Sequence, residues 1–254
     1  MTTPLRPGPA TPARYRAKLA SLPQQIMLAE ALHHLCRVAM RGRFARQATP
    51  EDSRDPDWTH VLIEDADEAL AGCFRLRQIG PDPARSRATL SYDLGQFLSS
   101  DGPVAEMAGF CVHPDAAESD VLGVAWAALM ALLDRMEARL LVGLCSFEGT
   151  DPQPHRHPFA LLRASHVAPE GQCPPPLAAE SIRLEALEGR PDRVAGLRGL
   201  PPVLRGLLGH GGCVADRAVV NRAAGTLDLL AMLDPARIPP PRRHALRARA
   251  PHLG

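Results

Sequence analysis

The 254-residue chain predicts a single α/β (α+β) domain: a mixed β-sheet with helices on its faces. Three observations carry this prediction. Apolar segments at residues 104–113 and 140–147 flank a helical stripe, making a strand, helix, strand crossover whose strands should run parallel with a right-handed connection. Ahead of it, residues 60–65 and 70–77 flank the acidic turn Asp65-Ala66-Asp67-Glu68 as an antiparallel hairpin. Behind it, residues 213–220 and 226–233 are two closing strands around a turn at 221–225.

Taken in order, the chain starts with a Pro-rich polar stretch, and residues 1–20 are expected to be a flexible tail. Residues 21–235 are expected to form the folded domain and 236–254 a basic tail. Leu22, Ile26, Ala29, Leu32, Cys36 and Met40 have helix spacing, and Arg37, Arg41, Arg43 and Arg46 cluster at that helix's end. Such cations form either a solvated basic edge or a docking patch for an acidic partner. A polar loop with Asp55 and Asp57 leads through Trp58 to the hairpin, where Arg75 and Arg77 alternate with Phe74 and Leu76.

In the central unit, Glu106 places one carboxylate on an otherwise apolar strand face, where a charge needs a partner or a task. The structural alternative is a pairing with Arg75 or Arg77 on the neighbouring strand. Leu122, Trp126, Leu129, Leu133 and Met136 make one buried helical stripe, with Ser119 as the expected N-cap. The run at 140–147 has few polar breaks, as an interior strand does. Beyond it come a rigid loop at 154–158, a short helix at 159–163, a mixed stretch at 168–200, and a helix opened by Pro201-Pro202 and stopped by Gly209.

Bulk properties exclude several classes. Net charge is +1, which gives no global case for nucleic acid. The six cysteines show no Cys-x-x-Cys pair, and no apolar run reaches the roughly 18 residues needed to span a bilayer. They read as buried thiols in a cytoplasmic protein. His33-His34 and His155-x-His157 lack a third ligand at metal spacing, so no zinc site is expected. The basic run from Arg242 to Arg249 is either a solvated tail or a peripheral contact with anionic lipid at the inner face of the membrane.

Glu106-Met107-Ala108-Gly109-Phe110-Cys111-Val112-His113-Pro114-Asp115, then Gly143-Leu144-Cys145-Ser146-Phe147-Glu148-Gly149-Thr150-Asp151-Pro152, then Leu200-Pro201-Pro202-Val203-Leu204-Arg205-Gly206 follow one another in an order with a known parallel. The chain resembles the ornithine N-acyltransferases of bacterial ornithine-lipid synthesis, members of the GNAT superfamily related to acyl-homoserine lactone synthases. The likeness runs from about Arg37 to Asp234. It implies a GNAT sheet splayed between its fourth and fifth strands. It also implies transfer of a 3-hydroxyacyl group from acyl carrier protein to the α-amine of ornithine, with no metal and no cofactor.

By the same resemblance Glu106 holds or deprotonates the incoming ammonium, His113 is a candidate relay, and the oxyanion donor is a backbone N–H between Cys111 and His113. Arg75, Asp216, Asp228, Ser146 and Phe147 become substrate-binding candidates, the two aspartates for the distal ammonium of a basic amino acid. Arg37, Arg41, Arg43 and Arg205 become candidate contacts of the carrier protein. Asp115-Ala116-Ala117-Glu118-Ser119-Asp120 stands where acyl-CoA users carry a Gly-rich pyrophosphate loop, and its acidity favours a carrier-protein donor. Two positions depart from the family: Gly109 where an Arg is usual, and Ala39 where a Phe is usual. Arg75 or Arg205 would then supply the missing guanidinium, the acceptor would be another small amine, or the chain would bind the carrier without turnover.

Overall fold

The computed structural model describes residues 14–36, 55–80, 82, 85–99, 102–186, 192–251 and 253. In chain order these form β1 (Tyr15–Leu19), α1 (Pro23–His34), β2 (Thr59–Asp65), β3 (Leu70–Gln78), α2 (Arg87–Ser91), α3 (Gly95–Leu98), β4 (Val104–Val112), α4 (Glu118–Arg135) and β5 (Leu140–Glu148). Then follow α5 (Arg156–Ser165), β6 (Ser181–Arg183), α6 (Arg193–Gly199), α7 (Pro202–Gly209), β7 (Cys213–Asn221), β8 (Thr226–Leu233) and α8 (Pro240–Ala248). The strands make one mixed sheet in the order β1-β2-β3-β4-β5-β8-β7-β6.

The two faces of the sheet follow from strand alternation. On β2 and β3, Val61, Ile63, Phe74 and Leu76 join the main core with Val121, Ala125, Trp126, Leu129 and Leu133 of α4. Leu62 and Cys73 face the other way, where Ala29 and Leu32 of α1 cover them together with Cys111. Of the stripe expected on α4, Trp126, Leu129 and Leu133 are buried and Leu122 and Met136 half-buried against the core, and the helix starts one residue earlier than Ser119. Ala117 is the N-cap without a side-chain bond, and Glu118 and Asp120 in the first turn complement the helix dipole instead.

The hairpin, the parallel crossover and the closing strand pair are all present. Both expected tails need correction. Within residues 1–20, Tyr15 to Leu19 form edge strand β1, paired antiparallel with β2, with Tyr15 and Ala17 turned into the core. Within residues 236–254, α8 packs on α4: Leu246 sits against the core and the Arg247 guanidinium donates two 2.8 Å hydrogen bonds to the Asp134 carboxylate. A bidentate ion pair and a buried Leu253 dock this basic run on the domain.

Candidate active site

β4 and β5 pair at only three positions, Val104 with Leu140, Ala105 with Leu141 and Glu106 with Val142, and then separate. Two features of the backbone drive them apart. Opposite Phe74 of β3, strand β4 carries two residues, Gly109 and Phe110, so the strand bulges and bends. Gly109 takes φ +65°, a left-handed conformation that costs any residue with a Cβ. β5 meanwhile stays in register with β8 along its whole course, from Leu141–Leu233 to Glu148–Thr226. The wedge between them is a cleft lined by β4, β5 and β8, by Arg75 and Arg87, by His33 of α1, and by Pro201, Val203 and Leu207 at the start of α7.

Glu106 stands where the pairing ends. It is 2% exposed, and its Oε2 accepts from Arg77 Nε at 3.0 Å and Nη2 at 2.8 Å, while Oε1 accepts the Ala88 N–H at 3.0 Å. This is the pairing that the alternation of β3 offered as the structural alternative, with Arg77 rather than Arg75 as the partner. Arg77 also reaches Asp55 at 3.3 Å, and Asp55 bonds Arg85 at 2.5 Å. The Asp57 backbone N–H first, and the Arg85 and Arg77 cations after it, hold the Asp55 carboxyl below its ordinary range. Trp58 orders both arginines of β3, its ring centroid lying 4.5 Å from the Arg75 guanidinium carbon and 4.1 Å from that of Arg77.

The opposite wall carries a second carboxylate. Asp228 is 3% exposed; Oδ1 accepts from Ser146 Oγ at 2.6 Å and Thr226 Oγ1 at 2.9 Å, and Oδ2 from Asn221 Nδ2 at 2.9 Å. Tyr92 fixes the backbone there, its hydroxyl lying 2.7 Å from the Arg217 carbonyl and 3.0 Å from that of Asp228. Cys145, next to Ser146, is also part of the cleft lining. Burial, and then the Asp228 charge, push the Cys145 thiol up to about 12, so it stays protonated near neutrality.

The sequence candidates therefore divide. The structure brings Glu106, Arg75, Ser146 and Asp228 to one cleft. Phe147 points away from it, 3% exposed and edge-on to Phe159 in the core, because successive residues of β5 alternate faces. The Cys111 side chain lies under α1, 3.3 Å from Cys73 Sγ; a contact with Cys36 pulls its thiol down, but Cys73 and burial outweigh it and hold the group well above its ordinary range. His113 is on the surface, its Nδ1 accepting the Asp115 N–H at 3.2 Å, and its own N–H is donated to the Ala71 carbonyl.

Asp216 lies outside the cleft, where a register shift in β7 turns it towards Cys173, whose Sγ donates to it at 3.3 Å. Arg205 pairs with Glu118 at 3.0 Å across the surface of α7 and α4. Arg37, Arg41, Arg43 and Ala39 lie outside the described residues. At the bulge, the side chain of Arg75 runs past Gly109, 3.7–3.9 Å from where a Cβ would be. Of the two arginines proposed to replace the family's missing guanidinium, Arg75 is the one in the cleft. Sequence reasoning missed Trp58, Arg87 and His33. The first precedes a strand, and Arg87 follows the cap Ser86, whose Oγ accepts from Thr89 N–H. Among the described residues, no cluster of His, Cys, Asp or Glu is placed to hold a metal ion.

Residues 36–127 match the family model of the acetyltransferase (GNAT) domain. Across 238 residues the chain is 29% identical to an L-ornithine N(alpha)-acyltransferase of Rhodobacter capsulatus, covering 89% of this chain and 92% of that protein. The chain is an acyltransferase of the GNAT fold. A second L-ornithine N(alpha)-acyltransferase, from Brucella abortus, is 26% identical over 87% of this acyltransferase and 84% of its own length. Among solved structures, FeeM, an N-acyl amino acid synthase from uncultured soil microbes, superposes with a TM-score of 0.48 at 9% identity, over 87% of this chain and 91% of its own. The CoA-dependent acyl-homoserine lactone synthase MesI gives 0.45 at 14% identity, over 92% and 94%.

Proposed function

We propose that this acyltransferase moves a 3-hydroxyacyl group from the thioester of acyl carrier protein to the α-amine of ornithine, giving a lyso-ornithine lipid. The observation that carries the reading is the cleft between β4 and β5, which pair at three positions only. Its lining carries the cations Arg75 and Arg87 and the carboxylate of Asp228, and the relatives named for ornithine acylation suggest the acceptor.

The neutral α-amine attacks the thioester carbonyl, the C–N bond forms as the C–S bond breaks, and the ammonium proton leaves as the departing thiolate takes one up. Transfer is direct from thioester to amine. With pairing to β5 ending at Glu106, backbone N–H groups of β4 beyond that residue are the candidates to serve the developing oxyanion. Arg75 and Arg87 receive the acceptor's α-carboxylate. Glu106 is a positioning residue: its bonds to Arg77 and to Ala88 N–H tie β4 to β3 and α2, and so set the two cationic side chains beside them. A carrier-protein donor fits better than CoA, because Glu118 and Asp120 in the first turn of α4 repel a pyrophosphate at that helix end.

The test is thiol release from 3-hydroxyacyl carrier protein with a panel of amino acids. Release with ornithine and identification of the Nα-acyl product are expected. Release only with another amine would move the acceptor assignment, and carrier binding without release would overturn the enzymatic reading.

A further inference from the structure

Two carboxylates line the cleft, and their charges are handled differently. Glu106 has an internal cation in Arg77 at 2.8 Å. Asp228 has three neutral donors, Ser146, Thr226 and Asn221, and among the described residues no Arg, Lys or His forms an ion pair with it. It lies in β8, whose eight residues are all buried, between Leu227 and Leu229. Neutral dipoles satisfy lone pairs but leave the net charge, and an uncompensated ionised carboxylate in apolar surroundings carries a large desolvation cost. The cost is met when a cation arrives. Oδ2 accepts a single bond, so acceptor capacity remains on it. Arg75 and Arg87 line the same cleft.

We infer that Asp228 receives the cationic side-chain end of the acceptor, and that its uncompensated charge makes the enzyme choose a diamino acid over a neutral amino acid of the same length. The inference rests on the reading of the cleft as an amine-acylating site, and it separates Asp228 from Asp216, which faces Cys173 instead.

The experiment compares ornithine with 5-hydroxynorvaline, in which a hydroxyl replaces the distal ammonium, in wild type, Asp228→Asn and Asn221→Lys. The wild type is expected to prefer ornithine by about 100-fold in kcat/KM, the scale of a buried charge partner. Asp228→Asn should remove that preference. Asn221→Lys keeps the carboxylate but supplies an ammonium from the protein at the position of Asn221 Nδ2, and should lose ornithine selectively as well; it keeps the test open if Asp228→Asn fails to fold. A preference for ornithine that survives in both variants, or a wild type indifferent to the two acceptors, overturns the role of Asp228. A wild type that releases thiol with neither amine overturns the proposed function itself.

Discussion

Replacing Glu106 with Gln separates a positioning glutamate from a catalytic base. The Glu106 and Arg77 side chains are 3% and 4% exposed, so their ion pair is screened little by solvent. Removing one partner of such a pair costs about 3–5 kcal/mol, because the other charge stays buried. Arg77 retains Asp55 at 3.3 Å, which places this site near the lower end, at about 3 kcal/mol. A glutamine can face its carbonyl oxygen either to Arg77 or to the Ala88 N–H but not to both, and its NH2 then opposes the remaining donor. For a domain of this size each kcal/mol lowers Tm by about 2–4 °C, so the expected drop is about 6–12 °C. The assay is thermal unfolding followed by a pH profile of kcat/KM at a temperature where the variant is folded. A positioning role gives a destabilised enzyme with lower kcat/KM and an unchanged profile shape. An unaltered Tm together with loss of the acidic limb would refute this reasoning and return Glu106 to the role of base. Pairing Glu106→Leu with Arg77→Met should recover part of the lost stability, since both charges then leave together.

Further outcomes follow from the packing around the cleft. Gly109→Ala should lower stability by about 1 kcal/mol through backbone strain alone, because a Cβ there meets Arg75 only at ordinary contact distance, and equilibrium unfolding in urea reads it. Gly206→Ala should be worse, at about 1–3 kcal/mol, because its methyl would overlap the Trp126 indole and push α7 outward; since Val203 and Leu207 line the cleft, KM for the acyl donor should rise as well. His210 caps the end of α7 against Trp126, ring centroids 4.8 Å apart, and burial, then Arg242, lowers its pKa from 6.5. Its unfolded form therefore binds a proton before its folded form does, so stability falls as pH drops through 6.5 and levels off below the lowered folded pKa. His210→Gln should reduce the slope of unfolding free energy against pH between about 7 and 5 by at most one proton, with His166, also lowered by burial and then by Arg193, accounting for part of the remainder.

How much of this was legible in the chain depends on the range of the interaction involved. Strand and helix identity in the crossover came from the apolar run of Val104 to Val112 and from the stripe through Trp126 and Leu133, which α4 buries. β1 was hidden although Tyr15 and Ala17 alternate with Arg16 and Lys18, since the Pro-rich surroundings outweighed five residues of alternation. α2, α3 and β6 span five, four and three residues, too few for any period to show. Among the site candidates, residue type nominated Asp216 and Asp228 equally. What separates them is a register shift in β7 between Val214 and Ala218, a long-range property of the β7 and β8 pairing. Glu106 was visible as a charge on an apolar face, and the choice between Arg75 and Arg77 was settled by register, which sets Arg77 directly opposite it.

The glycine at position 109 bears on whether the departure from the family weakens the active site. If β4 were a regular strand, a missing guanidinium there would leave a gap. The strand is instead bulged at that residue, and φ +65° is a conformation in which an arginine would be strained by its own Cβ. The bulge lets β4 turn away from β5 after Glu106, and without that turn the two strands could continue pairing and close the cleft. Arg75 comes from the neighbouring strand and lies alongside Gly109, held against Trp58, so a guanidinium is delivered to the same wall from a regular position. Shape and charge are thus supplied by different residues. The glycine opens the wedge, while an arginine locked by an aromatic ring faces into it.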